Sequence, residues 1–178
     1  MEVSKSAGLS EAHKLAIMEA MSDAPSNGDP RDYTVLKFKR ITKDAFSPRY
    51  ATDGAACFDL FAMEATEVKA SYSETIRTGI AVEIPPTHVL LVFSRSGHGF
   101  NNSIRLANCV GVIDSDYRGE IMVKLTSDTV EDAQPFHIAR GHRVAQAMLV
   151  PIPRAVLVEC DELSETIRGA GGFGSTGH

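Results

Sequence analysis

Cysteine is sparse in this chain. There are three, Cys57, Cys109 and Cys160, odd in number and scattered, with no CxxC pair. That excludes a disulfide framework and a cysteine zinc site. Reduced, mostly buried thiols are expected, as in an intracellular, cytoplasmic protein. Basic charge is also short: 18 Lys and Arg against 23 Asp and Glu give a net charge of −5. Partners such as a nucleic-acid polymer or a membrane surface call for the opposite balance. A small anionic ligand stays open, because a few arginines can dominate one pocket. Long apolar runs are missing too. HVLLVF and VAQAMLVPIP fall short of the roughly 18–20 residues a membrane helix needs, and the opening MEVSKSAGLSEAHK has no apolar core of a secretory leader. The six histidines show no metal-ligand spacing, and no P-loop, G-x-S-x-G or dinucleotide fingerprint occurs.

What is present is a succession of short β-type runs from Tyr33 onward. YTVLKFKRI alternates with period two; ACFDLFA, ETIRTGIAVEI, HVLLVFS, SIRLANCVGVI, EIMVKL, FHIA, RVAQAMLVPI and AVLVEC follow. Gly, Pro, Asp, Ser and Asn separate them, and no helical stripe lasts three turns. The pattern predicts an all-β sandwich or jelly-roll barrel. Before it, Ser10 is placed to cap a short helix, EAHKLAIMEAM, and SDAPSNGDPRD reads as a linker.

Several stretches could carry chemistry. In NCVGVIDSDYRGEI an apolar strand runs into Asp114 and Asp116. The segment reads either as a hairpin with an acidic turn or as a carboxylate held at a strand end, where it could take a proton from water. In SRSGHGF, Arg95, Ser96 and the amides around Gly97 form a compact anion-binding set or a plain polar loop. Asp59 lies among Phe58, Leu60 and Phe61, so it needs either an arginine partner or a metal's water shell. Gln146 sits in an apolar run and must bond to backbone or to a ligand. Finally, RGAGGFGSTG holds five glycines in ten residues.

Taken in order, these segments resemble the trimeric deoxyuridine triphosphatase (dUTPase) family. GAACFDL, SRSG, GVIDSDYRGE, GHRVAQ and RGAGGFGSTG resemble its five motifs. The resemblance implies a jelly-roll domain over 32–162, an N-terminal extension over 1–31 and a flexible arm over 163–178. It implies a homotrimer with shared active sites, and Mg²⁺-dependent hydrolysis of dUTP to dUMP and pyrophosphate. Asp114 would activate the attacking water. Asn108, with Gly111, Val112 and Ile113, would bind uracil, beside Met122, and Tyr117 would pack on the deoxyribose. Arg95, Ser96, Gly97 and Gln146 would hold phosphates, and Asp59 would meet Mg²⁺ through water. Arg168, Phe173, Gly174, Ser175 and Thr176 would close over the nucleotide. Ser94, Cys57 and His142 depart from the family's usual proline, glycine and acid. A dCTP deaminase, alone or joined to a triphosphatase, and a regulatory nucleotide-binding module share the fold. Asp116-Tyr117-Arg118-Gly119 argues against the first two, and the retained Asp114 and tail against the third.

Overall fold

The computed structural model describes residues 10–22, 33–130 and 132–172. Helix α1 (Glu11–Ser22) begins directly after Ser10, whose carbonyl accepts from the Lys14 N–H at 3.0 Å. Leu15 and Met18 on this helix are exposed, so it buries no apolar stripe there. The strands follow as β1 (Lys37–Arg40), β2 (Arg49–Tyr50), β3 (Phe58–Phe61), β4 (Thr66–Val68), β5 (Ser73–Arg77) and β6 (Ile80–Glu83). Then come β7 (His88–Phe93), helix α2 (Ser96–Asn102), β8 (Ile104–Leu106), β9 (Val110–Ile113), β10 (Met122–Ser127), β11 (Phe136–Ile138) and β12 (Arg143–Pro151).

All the pairings are antiparallel, and most join strands far apart in sequence. The largest sheet has the order β2-β3-β12-β7-β9, and a second has β5-β10-β8; β1-β6 and β11-β4 complete the set. This is the all-β, jelly-roll-like architecture that the short alternating runs predict. Alternation does the work in β10: Val123, Leu125 and Ser127 are buried while Met122 and Lys124 face out. All of β3 is buried because it lies between β2 and β12. Leu60, Ile80, Leu90, Leu106, Leu125 and Val144 lie at the centre of one contiguous core. Each such side chain contributes roughly 1.5–3 kcal/mol of burial.

Four expectations are corrected. ETIRTGIAVEI is two strands in different sheets, broken at Gly79, whose φ of +69° suits glycine. SIRLANCVGVI is likewise two strands, β8 and β9, broken where Cys109 takes φ +63°. AVLVEC forms no strand: Val156 and Leu157 are 88% and 93% exposed, with no strand paired to them among the described residues. The thiols are free but not buried; Cys57 is half-buried, and Cys109 and Cys160 are exposed.

Candidate active site

β9 is the outer strand of its sheet, paired on one side only, with β7. Among the described residues its other edge has no strand partner, so backbone N–H and C=O groups there are open to other hydrogen-bonding groups. Gly111 allows β9 to lie close to β7, since a Cβ there would come 3.1 Å from the Val92 Cβ. A tight turn precedes the strand, with the Val110 N–H donating to the Asn108 carbonyl at 2.7 Å. Between β9, β8 and β10 lies a cleft of about 450 Å³, lined among others by Asn108, Gly111, Val112, Ile113 and Met122. The structure thus brings together all five residues expected to meet a base.

Asp114 follows β9 directly. It is exposed, and its carboxylate has no hydrogen-bond or ion-pair partner among the described residues. The following segment is not a hairpin turn, because β9 and β10 belong to different sheets. It is a braced crossover. The Tyr117 N–H donates to the Asp114 carbonyl at 3.1 Å, and the Arg118 guanidinium donates to the Ser115 and Tyr117 carbonyls at 2.7 and 2.9 Å. The Tyr117 hydroxyl donates to the Glu120 carbonyl at 3.0 Å, which lays the ring across Gly119. A Cβ on Gly119 would fall 2.6 Å from the ring carbon Cζ. Glu120 anchors the far end, accepting from the Gly79 N–H at 2.8 Å and from Arg77 at 3.0 Å. Sequence reasoning missed Arg77 and Glu120. The only local signal was an acid following Arg-Gly.

The residues expected to hold phosphates lie elsewhere on the surface of the fold. Residues 94–100 are not a plain loop: Ser96 opens α2. A pocket of about 420 Å³ is lined by Ser94, Arg95, Ser96, Gly99, Phe100 and Gln146. Gly97 lies within α2, and space for a side chain there is open. Asp59 is buried and faces two guanidiniums, with Arg95 Nε at 3.4 Å and Arg143 Nη1 at 3.3 Å. Arg95 also donates to the Arg143 carbonyl and contacts His98 Nε2, both at 3.3 Å. Gln146, opposite Asp59 in the β12–β3 register, donates to the Ser94 carbonyl at 2.9 Å. The Ser94 hydroxyl accepts from the Leu106 N–H at 2.8 Å, a bond proline could not make.

His98 was set aside as a lone histidine. It lies edge-on to Phe136, and its Nδ1 is buried without a partner. Burial, and then Arg95, His142 and Arg143, hold its pKa below the ordinary 6.5. Arg168 is exposed, lines neither cleft and donates to the Gly171 carbonyl at 2.6 Å. Phe173, Gly174, Ser175 and Thr176 lie outside the described residues. Among the described residues, no group of three or more His, Cys, Asp or Glu side chains could cage a metal.

The dUTPase family model matches residues 43–177. The chain belongs to the dUTPase family. The deoxyuridine 5'-triphosphate nucleotidohydrolase of Nautilia profundicola is 44% identical over 142 residues, covering 80% of this chain and 98% of that one. Its namesake in Methylocella silvestris is 46% identical over 134 residues, covering 73% and 82%. Among solved structures, the dUTPase of Staphylococcus bacteriophage 80alpha with dUPNHPP superposes with a TM-score of 0.76 at 27% identity, covering 82% of this chain and all of that one. Of the segments that resemble dUTPase motifs, SRSG and GHRVAQ contribute to the pocket at α2, and GVIDSDYRGE to the cleft along β9 and the crossover after it.

Proposed function

We propose that this chain hydrolyses dUTP to dUMP and pyrophosphate. The observation that carries the reading is the cleft along the unpaired edge of β9, with the Asp114 carboxylate at its end. Uracil lies against residues 111–113 and Asn108, where a mismatched donor or acceptor would leave buried polar groups unpaired. Tyr117 packs on the deoxyribose and leaves no room for a 2′-hydroxyl. Asp114 takes the proton of a water that attacks the α-phosphorus, and pyrophosphate leaves. Phosphoryl transfer is chiefly positioning and charge neutralisation. Arg95, Ser96, Gly97 and Gln146 supply the donors, and Arg168, Phe173, Gly174, Ser175 and Thr176 close over the nucleotide and exclude water.

The side chains present fit Mg²⁺ held by substrate phosphates, with Asp59 reaching it only through water. They do not fit a protein cage, since Asp59 already faces Arg95 and Arg143. When bound, Mg²⁺ would neutralise triphosphate charge. The reading includes a homotrimer with sites shared between copies. Its support is unburied apolar surface at two places. One is the exposed run Val156, Leu157 and Val158; the other is a groove of about 230 Å³ whose walls include Leu36, Phe38, Tyr50 and Phe58. A second copy would cover both.

The test is pyrophosphate release from dUTP, dCTP, dTTP and UTP with Mg²⁺, in the natural chain and in Asp114→Asn. Turnover of dUTP alone is expected, with near-complete loss in the variant. Ammonia release from dCTP would establish the deaminase reading instead.

A further inference from the structure

Lys124 is the one charged side chain lining the cleft along β9. Its position is fixed by the sheet. On β10 it shares the outward face with Met122, while Val123 and Leu125 point into the core. Its Cα lies opposite Thr75 of β5, and its carbonyl accepts from the Ala107 N–H at 2.8 Å. The side chain therefore rises from a rigid strand on the wall of the cleft opposite β9.

What it lacks is a counter-charge. Some other cations have one: Lys37 meets Glu83 at 2.8 Å, Arg77 meets Glu120 and Arg105 meets Asp128. The Lys124 ammonium has no hydrogen bond or ion pair among the described residues. The ammonium stands exposed on the wall of the cleft, with no partner among the described residues to occupy its donors. It has three donors and no acceptor, so the group it suits must offer an oxygen or nitrogen lone pair.

The ligand itself supplies one, if the cleft holds a base as argued above. The edge of β9 meets only one side of a planar ring that carries two carbonyls. We propose that Lys124 is a further substrate-binding residue, whose ammonium donates a hydrogen bond to a carbonyl oxygen of the base in this cleft. Backbone along β9 then fixes one side of the ring, and a single charged donor from β10 fixes another. The alternative, a general attraction between the ammonium and the triphosphate, makes a different forecast for a ligand without phosphate.

Uncharged deoxyuridine is the probe, used as a competitive inhibitor of dUTP hydrolysis by the full chain. In Lys124→Met the deoxyuridine inhibition constant is expected to rise about tenfold, as for loss of one charged hydrogen bond. The KM for dUTP should rise by a similar factor with kcat unchanged, because the contact forms in substrate and transition state alike. Lys124→Arg, which keeps a cationic donor, should recover most of the loss. Unaltered thermal stability would show that the exposed substitution leaves the fold intact. The proposal is overturned if deoxyuridine inhibits Lys124→Met as well as it does the natural chain. That holds whether dUTP binding weakens, which assigns the lysine to the phosphates, or does not. If the natural chain itself fails to turn over dUTP, the reading of the cleft fails first, and that failure is distinct.

Discussion

The cleft along β9 is walled mainly by backbone and apolar side chains, with Asn108 and Lys124 as its polar members, whereas the pocket at α2 sits beside a web of charged side chains. At β9 the shape comes from the sheet, and Gly111 and Gly119 matter because a Cβ would strike Val92 or Tyr117. At α2, Arg95 lines the pocket, pairs with Asp59 and contacts His98, and Asp59 also pairs with Arg143. A backbone site is hard to change by substitution but reads hydrogen-bonding edges strictly. A side-chain web carries charge and can re-form around an anion, but each member depends on the others. Ser94 joins the two, with its hydroxyl on Leu106 of the first cleft and its carbonyl on Gln146 of the second.

The sharpest way to separate the two regions is Arg95→Lys. Lysine keeps the charge but loses the planar fork that reaches Asp59, His98 and the Arg143 carbonyl together. A loss of roughly 100-fold in kcat/KM for dUTP is expected, on the scale of removing one preorganised donor. Deoxyuridine inhibition should not change. A parallel loss for deoxyuridine would mean that the two regions are not independent.

A smaller effect of opposite pattern is expected from Gly119→Ala. The new methyl group displaces the Tyr117 ring and disturbs its hydroxyl's bond to Glu120. Deoxyuridine and dUTP should both bind about tenfold more weakly, at a cost of order 1.4 kcal/mol. Titrating inhibition by each ligand checks it. Weakening of dUTP alone would place the ring's influence on the phosphates.

The same contrast governs what the sequence made legible. The candidate site around β9 was readable because its residues cluster in one stretch: Asn108, Gly111 to Ile113, Asp114, Tyr117 and Met122 lie within fifteen positions. The brace behind it was not, because Arg77 and Gly79 arrive from another part of the chain. α2 was not foreseen: Gly97 and Gly99 disfavour a helix, and seven residues are too few to show a periodicity. The break at Gly79 was within reach of sequence reasoning. The break at Cys109 was not, since a non-glycine residue with positive φ gives no compositional warning. AVLVEC has the pattern of a strand, but pattern cannot say whether a partner strand exists within the same chain. Asp59 left two options open, and the structure shows the arginine pairing, with both carboxylate oxygens engaged. Gln146 likewise proved to be tied to backbone while lining the pocket.

The least conspicuous prediction concerns His98, the neutral member of the cationic web. Desolvation and the nearby Arg95, His142 and Arg143 disfavour its protonated form, so its folded-state pKa lies below its unfolded value. Well above pH 6.5 the ring is neutral in both states and contributes no pH dependence. As pH falls below that value the unfolded chain binds the proton first, so stability declines until the folded-state pKa is also passed. The neutral ring accepts from Arg95 through Nε2, which puts its hydrogen on the buried, unpartnered Nδ1. His98→Gln removes the titrating group and should flatten this part of the profile of unfolding free energy against pH, measured by denaturant melts from pH 8 downward. The pocket at α2, where the proposed function places the phosphates, should feel the same titration. Protonation ends the acceptance from Arg95, so the KM for dUTP in the natural chain should vary through this range, and the variant's should vary less. Deoxyuridine inhibition should stay level in both proteins. If His98→Gln kept the full decline in stability at acid pH, the slope would belong to other groups and the ring would be a bystander in the web.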